Sequence, residues 1–184
     1  MNRKCQKEFY EYTHPHLPSL YNTSIYITNN QNDANSLVID TLNNAYHAYD
    51  QLLNKSDFKI WMFRILFGSF VNKNNIKQQQ NLGYDDLEEF FLFKRLDEKI
   101  DLNEISKEEL IEKLDKDDLK NALNNLPFQL KLVVWFRDIE GFSYEEIANI
   151  IEIKSEMVIS RIYLGRKLLQ KYLWDNARLF RFAI

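Results

Sequence analysis

The chain has 184 residues, of which 45% are hydrophobic and 28% are charged, and its formal net charge is −3. This apolar content is enough for a packed core and excludes a disordered chain, while only 4 glycines and 3 prolines favour helices over a turn-rich β-protein. The single cysteine cannot form an internal disulfide, and no apolar run approaches the roughly 20 residues that span a bilayer, so we expect a cytoplasmic protein without membrane insertion.

Helical periodicity predicts four helices in the first part of the chain, at roughly 4–13, 17–29, 33–50 and 57–74. Asp33 and Asp57 are predicted to cap the third and the fourth of these helices. The polar stretch that follows has no clear apolar face, and it is the best candidate for a domain boundary.

The remainder of the chain contains an acidic segment followed by a basic one. Residues 84–118 carry 14 acidic and 6 basic side chains, whereas residues 153–184 carry 2 acidic and 7 basic ones. An acidic segment with scattered apolar positions is typical of a solvated linker, although a folded domain is the alternative. We therefore predict an all-α protein in which two small helical domains, at 1–78 and 117–184, are joined by an acidic linker at 79–116.

Residues 126–169 indicate a helix-turn-helix. Gly141 suits the position after a helix, where φ is positive, and Ser143 with Glu146 has the spacing of a capping box that starts the next helix. Glu152 is placed at a tight turn, where glycine would be easier. Ser155 can begin the second helix. An α-hairpin of any helical protein is the alternative for this pattern.

The second helix of this motif has two faces. Its apolar stripe, formed by Val158, Ile162, Gly165 and Leu169, is predicted to face the core. The opposite face would enter the major groove of DNA. Its members are Glu156, Ile159, Ser160, Tyr163, Arg166 and Lys167.

The segment 126–169 resembles region 4 of bacterial RNA polymerase sigma factors, above all those of the small extracytoplasmic-function group. The family pattern is matched by L-P at 126–127, R-D-I-E-G at 137–141, S-Y-E-E-I-A at 143–148 and V-I-S-R at 158–161. Two earlier stretches, DANSLVIDTLNNAYHAYD at 33–50 and FKIWMFRILFGSFVN at 58–72, resemble region 2 of the same family.

This resemblance implies a protein that binds core RNA polymerase and directs it to promoter DNA, with no catalysis and no cofactor of its own. The region 2-like domain would be a helical bundle that docks on the coiled coil of the β′ clamp and opens the −10 element. The region 4-like domain would dock on the β flap and recognise the −35 element. The resemblance also implies an anti-sigma factor as a partner.

The resemblance assigns roles to three sets of residues. For each residue, the alternative is an ordinary structural position on a helix surface or in a core. Polymerase docking falls on Asp33, Leu37, Asp40 and Tyr46. Contacts to the opened −10 element fall on Ala48, Leu52, Trp61, Arg64, Ile65, Gly68, Asn72 and Lys73. Contacts to the −35 element fall on Ser155, Ile159, Ser160, Tyr163, Leu164, Arg166 and Lys167.

Some of these regions depart from the family pattern. Ile39 stands where glutamine is usual, Gly68 where asparagine is usual, and Ile159 and Leu164 where basic residues are common. The departures favour a second hypothesis, a divergent helix-turn-helix regulator or a polymerase-binding decoy that has lost promoter opening. Apolar side chains on the second helix of the helix-turn-helix would suit the methyl groups of thymine, and coverage of this face by a protein is the alternative.

No catalytic or metal site is predicted. His14 and His16 have no further histidine or cysteine nearby in sequence, as a zinc site would need. The acidic run at 115–118 lacks the glycine and the spacing of a calcium loop. A helical enzyme is therefore the weakest hypothesis.

Overall fold

The computed structural model of the chain describes residues 3–52, 54–73 and 116–181. These residues form helices and the turns between them, without a strand, so the predicted all-α fold is confirmed. The predicted linker lies outside the described residues, apart from its last residue, Lys116. Among the described helices, none has the length and apolar character needed to cross a membrane.

Four helices form the first part of the chain. They are α1 (Arg3–Thr13), α2 (Leu17–Thr28), α3 (Gln31–Ala48) and α4 (Phe58–Lys73). The second part contains α5 (Lys116–Asn125), α6 (Phe128–Val134), a π-helical segment (Trp135–Ile139), α7 (Tyr144–Ile151) and α8 (Ser155–Arg181). The four predicted helices of the first part therefore exist, with boundaries close to those expected.

The residue that caps α3 is Asn30, and the prediction that Asp33 caps it is wrong. The Asn30 side chain accepts hydrogen bonds from the backbone N–H groups of Asn32 and Asp33, at 2.8 Å and 3.1 Å. Asn30 has extended backbone angles, as a capping residue must, whereas Asp33 lies within the first helical turn. A carboxylate there still interacts favourably with the helix dipole.

The turn before α4 is capped by Asn54. Its side chain accepts from the backbone N–H of Ser56 at 3.1 Å and donates to the Asp57 carboxylate at 3.2 Å. Asp57 ends a short 3₁₀ turn, Lys55–Asp57, that leads directly into α4. Its carboxylate thus takes part in the entry to the helix through Asn54 and Ser56.

The chain divides into two compact units. The first unit comprises Met1–Gln80 together with Phe142–Ser155, and the second comprises Asn81–Gly141 together with Glu156–Ile184. Helix α7 therefore belongs to the first unit, where it packs against α4. The predicted domain boundaries remain a proposal, and the structure adds that residues 142–155 pack with residues that precede the linker.

Aromatic side chains form much of the core of the first unit. Phe58, which is 2% exposed, begins α4 and has its ring 6.3 Å from those of Phe9 on α1 and Tyr49 after α3. Phe9 also contacts Tyr49 edge to face at 5.3 Å. Such edge-on pairs add to the free energy gained by burying the rings. They connect α1, the end of α3 and the start of α4.

The second unit contains a cluster of buried leucines: Leu126, Leu130, Leu164 and Leu168. Helix α8 approaches α6 closely beside this cluster, at Gly165. A Cβ atom built on Gly165 would lie 2.6 Å from Cγ2 of Val134 and 3.4 Å from the carbonyl oxygen of Leu130. Glycine is therefore required here by the space available.

We expect Gly165→Ala to lower the free energy of unfolding by about 1–2 kcal/mol. Overpacking costs about 1–3 kcal/mol and outweighs the gain of about 1 kcal/mol in helix propensity, because the branched Val134 side chain has little freedom to move. The matched control is Gly68→Ala in α4, where an added Cβ meets nothing within 4 Å. Urea denaturation should show the control to be slightly stabilised; equal effects of the two substitutions would contradict the close approach.

Candidate nucleic-acid interface

The segment that leads into α7 adopts the backbone predicted for it. The π-helical segment Trp135–Ile139 ends at Glu140, and Gly141 follows with a φ of 77°, in the left-handed region that favours glycine. The next residue, Phe142, is buried and belongs to the first unit. The positive φ at Gly141 thus ends one helix and redirects the chain.

Helix α7 begins with the predicted capping box. The Ser143 hydroxyl accepts from the backbone N–H of Glu146 at 3.2 Å, and the Glu146 carboxylate accepts from the backbone N–H of Ser143 at 2.6 Å. These reciprocal bonds satisfy two donors that the first turn would otherwise leave without partners. The sequence signal S-x-x-E therefore marks this helix start correctly.

A three-residue turn, 152–154, separates α7 from α8. Glu152 adopts a left-handed conformation with a φ of 58°, and its N–H donates to the carbonyl of Ala148. The N–H of Ile153 donates to the same carbonyl at 3.2 Å. Helix α8 then starts at Ser155, a predicted −35 contact that is partly exposed. The order helix, tight turn, helix is that of a helix-turn-helix motif.

One face of α8 presents apolar and aromatic groups to solvent. Ile159 is 48% exposed and Tyr163 is 46% exposed, and Ser160 between them is exposed as well. The ammonium group of Lys167 lies 5.1 Å from the centre of the Tyr163 ring, within the range of a cation–π interaction. These four predicted −35 residues thus share one accessible surface.

Arg166 is exposed on α8, but its guanidinium is paired with a carboxylate. It donates through Nε to Asp138 at 3.1 Å, and a second hydrogen bond joins another guanidinium nitrogen to the other carboxylate oxygen. This two-point geometry is the strong form of the arginine–carboxylate pair. Asp138, from the R-D-I-E-G motif, was not predicted as a partner, because 28 residues separate it from Arg166.

The structure corrects the prediction for Leu164. Its side chain is only 3% exposed and packs in the leucine cluster with Leu130 and Leu168, so it cannot contact DNA. Arg161 of the V-I-S-R motif is likewise buried, at 4% exposure. Both side chains therefore serve the packing of the second unit.

Four of the eight residues assigned to the opened −10 element lie along one side of α4. Trp61, Ile65, Gly68 and Asn72 follow one another at intervals of three or four residues, which places them on one helical stripe. Arg64, which is exposed, adjoins that stripe. Trp61, Ile65 and Gly68 are half-buried, and Asn72 is exposed. The arrangement leaves part of an aromatic side chain and an arginine accessible to a ligand.

The remaining −10 assignments lie at the ends of helices. Ala48 ends α3 and Leu52 follows the short 3₁₀ turn after it, and both are half-buried. Lys73 is the exposed last residue of α4. Nothing in the described contacts joins these three residues to the stripe on α4.

The predicted docking residues of α3 separate into two groups. Asp33 and Asp40 are exposed and accessible to a partner. Leu37 is 1% exposed and belongs to the core, which makes its assignment as a polymerase contact wrong. Tyr46 is half-buried, and its hydroxyl accepts a hydrogen bond of 2.9 Å from Gln6 of α1.

The side-chain contacts between α4 and α7 were not predicted from the sequence. Arg64 forms an ion pair of 2.9 Å with Glu152 and a hydrogen bond of 3.5 Å with Asn149. The rings of Phe63 and Phe142 meet edge to face with centroids 5.0 Å apart. No periodic signal could have found these contacts, since 88 residues separate Arg64 from Glu152.

A buried lysine in α6 was also missed. Lys131 is 5% exposed and donates to the side-chain oxygen of Asn124 at 3.0 Å. Burial lowers the pKa of Lys131, because the charged form loses its hydration. Within the described residues, no three histidine, cysteine or acidic side chains come together in a group that could hold a metal ion.

Comparison with known families gives a match for the second part of the chain. Residues 116–169 match the family described as Sigma-70, region 4. This range includes α5, α6, the π-helical segment, α7 and the start of α8. It therefore contains α7, the turn at 152–154 and α8 as far as residue 169.

Curated relatives match over most of the chain. The ECF RNA polymerase sigma factor SigE of Mycolicibacterium smegmatis is 27% identical over 89% of this chain, which spans only 60% of that relative's length. The ECF RNA polymerase sigma-E factor of Haemophilus influenzae is 27% identical over 76% of this chain and 74% of its own. RNA polymerase sigma factor SigV of Bacillus subtilis is 25% identical over 84% of each chain.

Two solved structures have a similar fold. One is the co-crystal structure of the sigma factor RpoE with the anti-sigma factor NepR from Bartonella quintana, with a TM-score of 0.66, 25% identity and coverage of 91% of this chain and 97% of that one. The other is the NMR structure of the PhyRSL–NepR complex from Sphingomonas sp. Fr1, with a TM-score of 0.60, 18% identity and coverage of 89% and 88%.

Lys167→Glu should weaken the binding of duplex DNA about five- to tenfold at low salt, because a cation on the exposed face of α8 is replaced by an anion. The slope of log affinity against log salt should also fall by about one. Fluorescence anisotropy with a labelled duplex of random sequence measures both quantities. Lys120→Glu, at an exposed position of α5, is the matched control. An equal loss in the two variants would argue against this face as the contact.

Proposed function

We propose that the chain is an RNA polymerase sigma factor of the extracytoplasmic-function group, which binds core RNA polymerase and directs the enzyme to specific promoters. The observation that carries this proposal is the helix-turn-helix of α7 and α8, whose residues 144–169 lie within the region 4 match, preceded by a region 2-like α3 and α4. In this role the chain itself performs no catalysis, and it acts in the cytoplasm where the polymerase works.

Recognition of the −35 element would use the exposed face of α8. Ile159 and Tyr163 offer apolar surface that can contact the methyl group of thymine in the major groove. Ser160 can donate to or accept from a base edge, and Lys167 can reach a backbone phosphate. Ser155 lies at the start of the same helix, where backbone N–H groups also favour phosphate.

Opening of the −10 element would use the stripe on α4. A flipped base needs a surface on which to stack, and the partly exposed Trp61 is an aromatic ring on that stripe. Arg64, Asn72 and Lys73 are exposed groups that can bind the backbone of the displaced strand. Gly68 leaves open space beside them, since an added Cβ would meet no atom within 4 Å.

Docking on the β′ clamp would use the exposed acidic residues of α3. Asp33 and Asp40 are accessible, and Ile39 beside them is 57% exposed, which gives the surface a mixed acidic and apolar character. Such a surface suits a partner with basic and apolar side chains. The region 4-like part would contact the β flap.

An anti-sigma factor is part of the proposal. The matched RpoE structure is a complex with the anti-sigma factor NepR, and the second matched structure also contains NepR. We further propose that the functional domains are residues 1–78 and 117–184, with 79–116 as the linker between them. Each domain would then carry one promoter contact.

Run-off transcription tests the proposal. Full-length protein added to core polymerase from the same organism should yield a discrete transcript from a subset of genomic promoter fragments, whereas core polymerase alone should yield none. Binding to core polymerase without any promoter-dependent transcript would contradict the proposal and favour the polymerase-binding decoy.

Asp40→Lys should weaken association with core polymerase about tenfold, because reversing one exposed charge at an electrostatically complementary interface adds repulsion and removes attraction. Surface plasmon resonance with immobilised core polymerase gives the affinity. Glu11→Lys, which makes the same charge change at an exposed position of α1, should leave it within about twofold. Unchanged binding by Asp40→Lys would remove α3 from the docking surface.

A further inference from the structure

We propose that α7 competes with DNA for Arg64, so that the arginine assigned to the opened −10 strand is withheld from it until α7 leaves α4. This inference rests on the proposed function, since that function makes Arg64 a strand contact. It concerns two helices of the same compact unit, which the sequence places in different functional regions.

The polar part of the contact occupies the guanidinium of Arg64 from the side of α7. One terminal nitrogen donates to the Glu152 carboxylate at 2.9 Å, and the other donates to the Asn149 side-chain oxygen at 3.5 Å. These two terminal nitrogens are also the groups that would bind a phosphate in the two-point manner. A phosphate and α7 therefore compete for the same donors.

An aromatic contact holds α7 in position beside Arg64. Phe142, two residues before the start of α7, is 3% exposed and meets the fully buried Phe63 with ring centroids 5.0 Å apart. The Lys59 ammonium lies 4.5 Å from the centre of the Phe142 ring. A buried edge-to-face pair with a cation over one ring stabilises this placement more than an exposed ion pair could.

Arg64 lies between the two surfaces that would use it. It comes three residues after Trp61 and four before Gly68, so it adjoins the stripe assigned to single-stranded DNA. It also follows Phe63 directly, at the margin of the surface that contacts residues 142–152. Arg64 is therefore positioned between the carboxylate that it binds and the surface proposed for DNA.

Electrostatic repulsion prevents Arg64 from binding the Glu152 carboxylate and a DNA phosphate at the same time. A phosphate bound by Arg64 would lie within a few ångströms of the Glu152 carboxylate, and two like charges at that distance repel each other. The Arg64 and Glu152 side chains are 54% and 68% exposed, so salt screens the ion pair and weakens it. The ion pair itself is therefore weak, whereas departure of α7 from α4 requires a partner that replaces the buried contacts of α7.

The backbone conformation of Glu152 is a second observation that supports a role for its carboxylate in binding Arg64. Its φ of 58° lies in the left-handed region, where glycine or asparagine would be easier. The chain instead carries a long acidic side chain at this turn, and that side chain reaches Arg64. The turn of the helix-turn-helix thus has a use beyond connecting two helices.

The test compares Glu152→Gln with Glu145→Gln in the full-length protein. Both substitutions remove one exposed negative charge from the same segment, but only the first removes the ion pair with Arg64. Glutamine leaves the backbone preference at position 152 essentially unchanged. The probe is a labelled oligothymidine of about 20 nucleotides, which contacts arginines and aromatics without sequence readout.

We expect Glu152→Gln to bind the oligothymidine about three- to fivefold more tightly than the natural chain, and Glu145→Gln to bind it within about 1.5-fold. The gain should shrink at high salt, where the ion pair is already screened. Equal affinities of the two variants would overturn the competition, because a general loss of negative charge would then explain the result.

Hydrogen exchange gives a readout that does not depend on DNA. Amides of 58–73 and 144–151 should exchange faster in Glu152→Gln than in Glu145→Gln, and unchanged exchange would also count against the restraint. Run-off transcription separates this inference from the proposed function. If no variant supports a transcript but Glu152→Gln still gains oligothymidine binding, the restraint stands and the proposed function fails.

Discussion

The packing of α7 against α4 is the contact that joins residues 142–155 to the rest of the first unit. A helix of eight residues is not stable in water by itself, because nucleation is costly and few hydrogen bonds repay it. Ile147, Ile150 and Ile151 of α7 are almost fully buried, and burial of such side chains contributes about 1.5–3 kcal/mol each. The capping box and the turn at Glu152 provide hydrogen-bond partners for backbone groups at the two ends of α7. Residues 142–155 therefore fold as part of a unit formed mainly by 1–80.

The features that could be predicted from the sequence are those that depend on neighbouring residues. The S-x-x-E spacing places the acceptor and the donor within one turn, so the capping box at Ser143 and Glu146 follows from the local pattern alone. Gly141 has the positive φ expected from its place after a helix, and Glu152 adopts the tight turn expected between two helices. Periodicity also indicated correctly that Ile159 and Tyr163 are exposed.

The error at Leu37 arose where resemblance was preferred to periodicity, whereas the error at Leu164 and the omissions arose from distance in sequence. Leu37 shares the buried stripe of Ala34 and Thr41 on α3, and that spacing already favoured the core. The burial of Leu164 depends on Leu130 of α6 and on Leu126, which lies between α5 and α6, and no local sequence pattern reveals these contacts. The pairing of Arg64 with Glu152 likewise joins helices that are far apart in the chain.

Burial and ion pairing reduce the number of basic side chains on α8 that are available to bind DNA. Arg161 is buried and Arg166 is held by Asp138, so two of the basic residues counted in the sequence are already engaged within the protein. The loss of each phosphate contact lowers the affinity for DNA and makes that affinity less dependent on salt concentration. If α8 recognises the −35 element as proposed, specificity must come largely from Ile159, Ser160 and Tyr163. Affinity must then come from the polymerase, which holds α8 at the promoter and raises its local concentration.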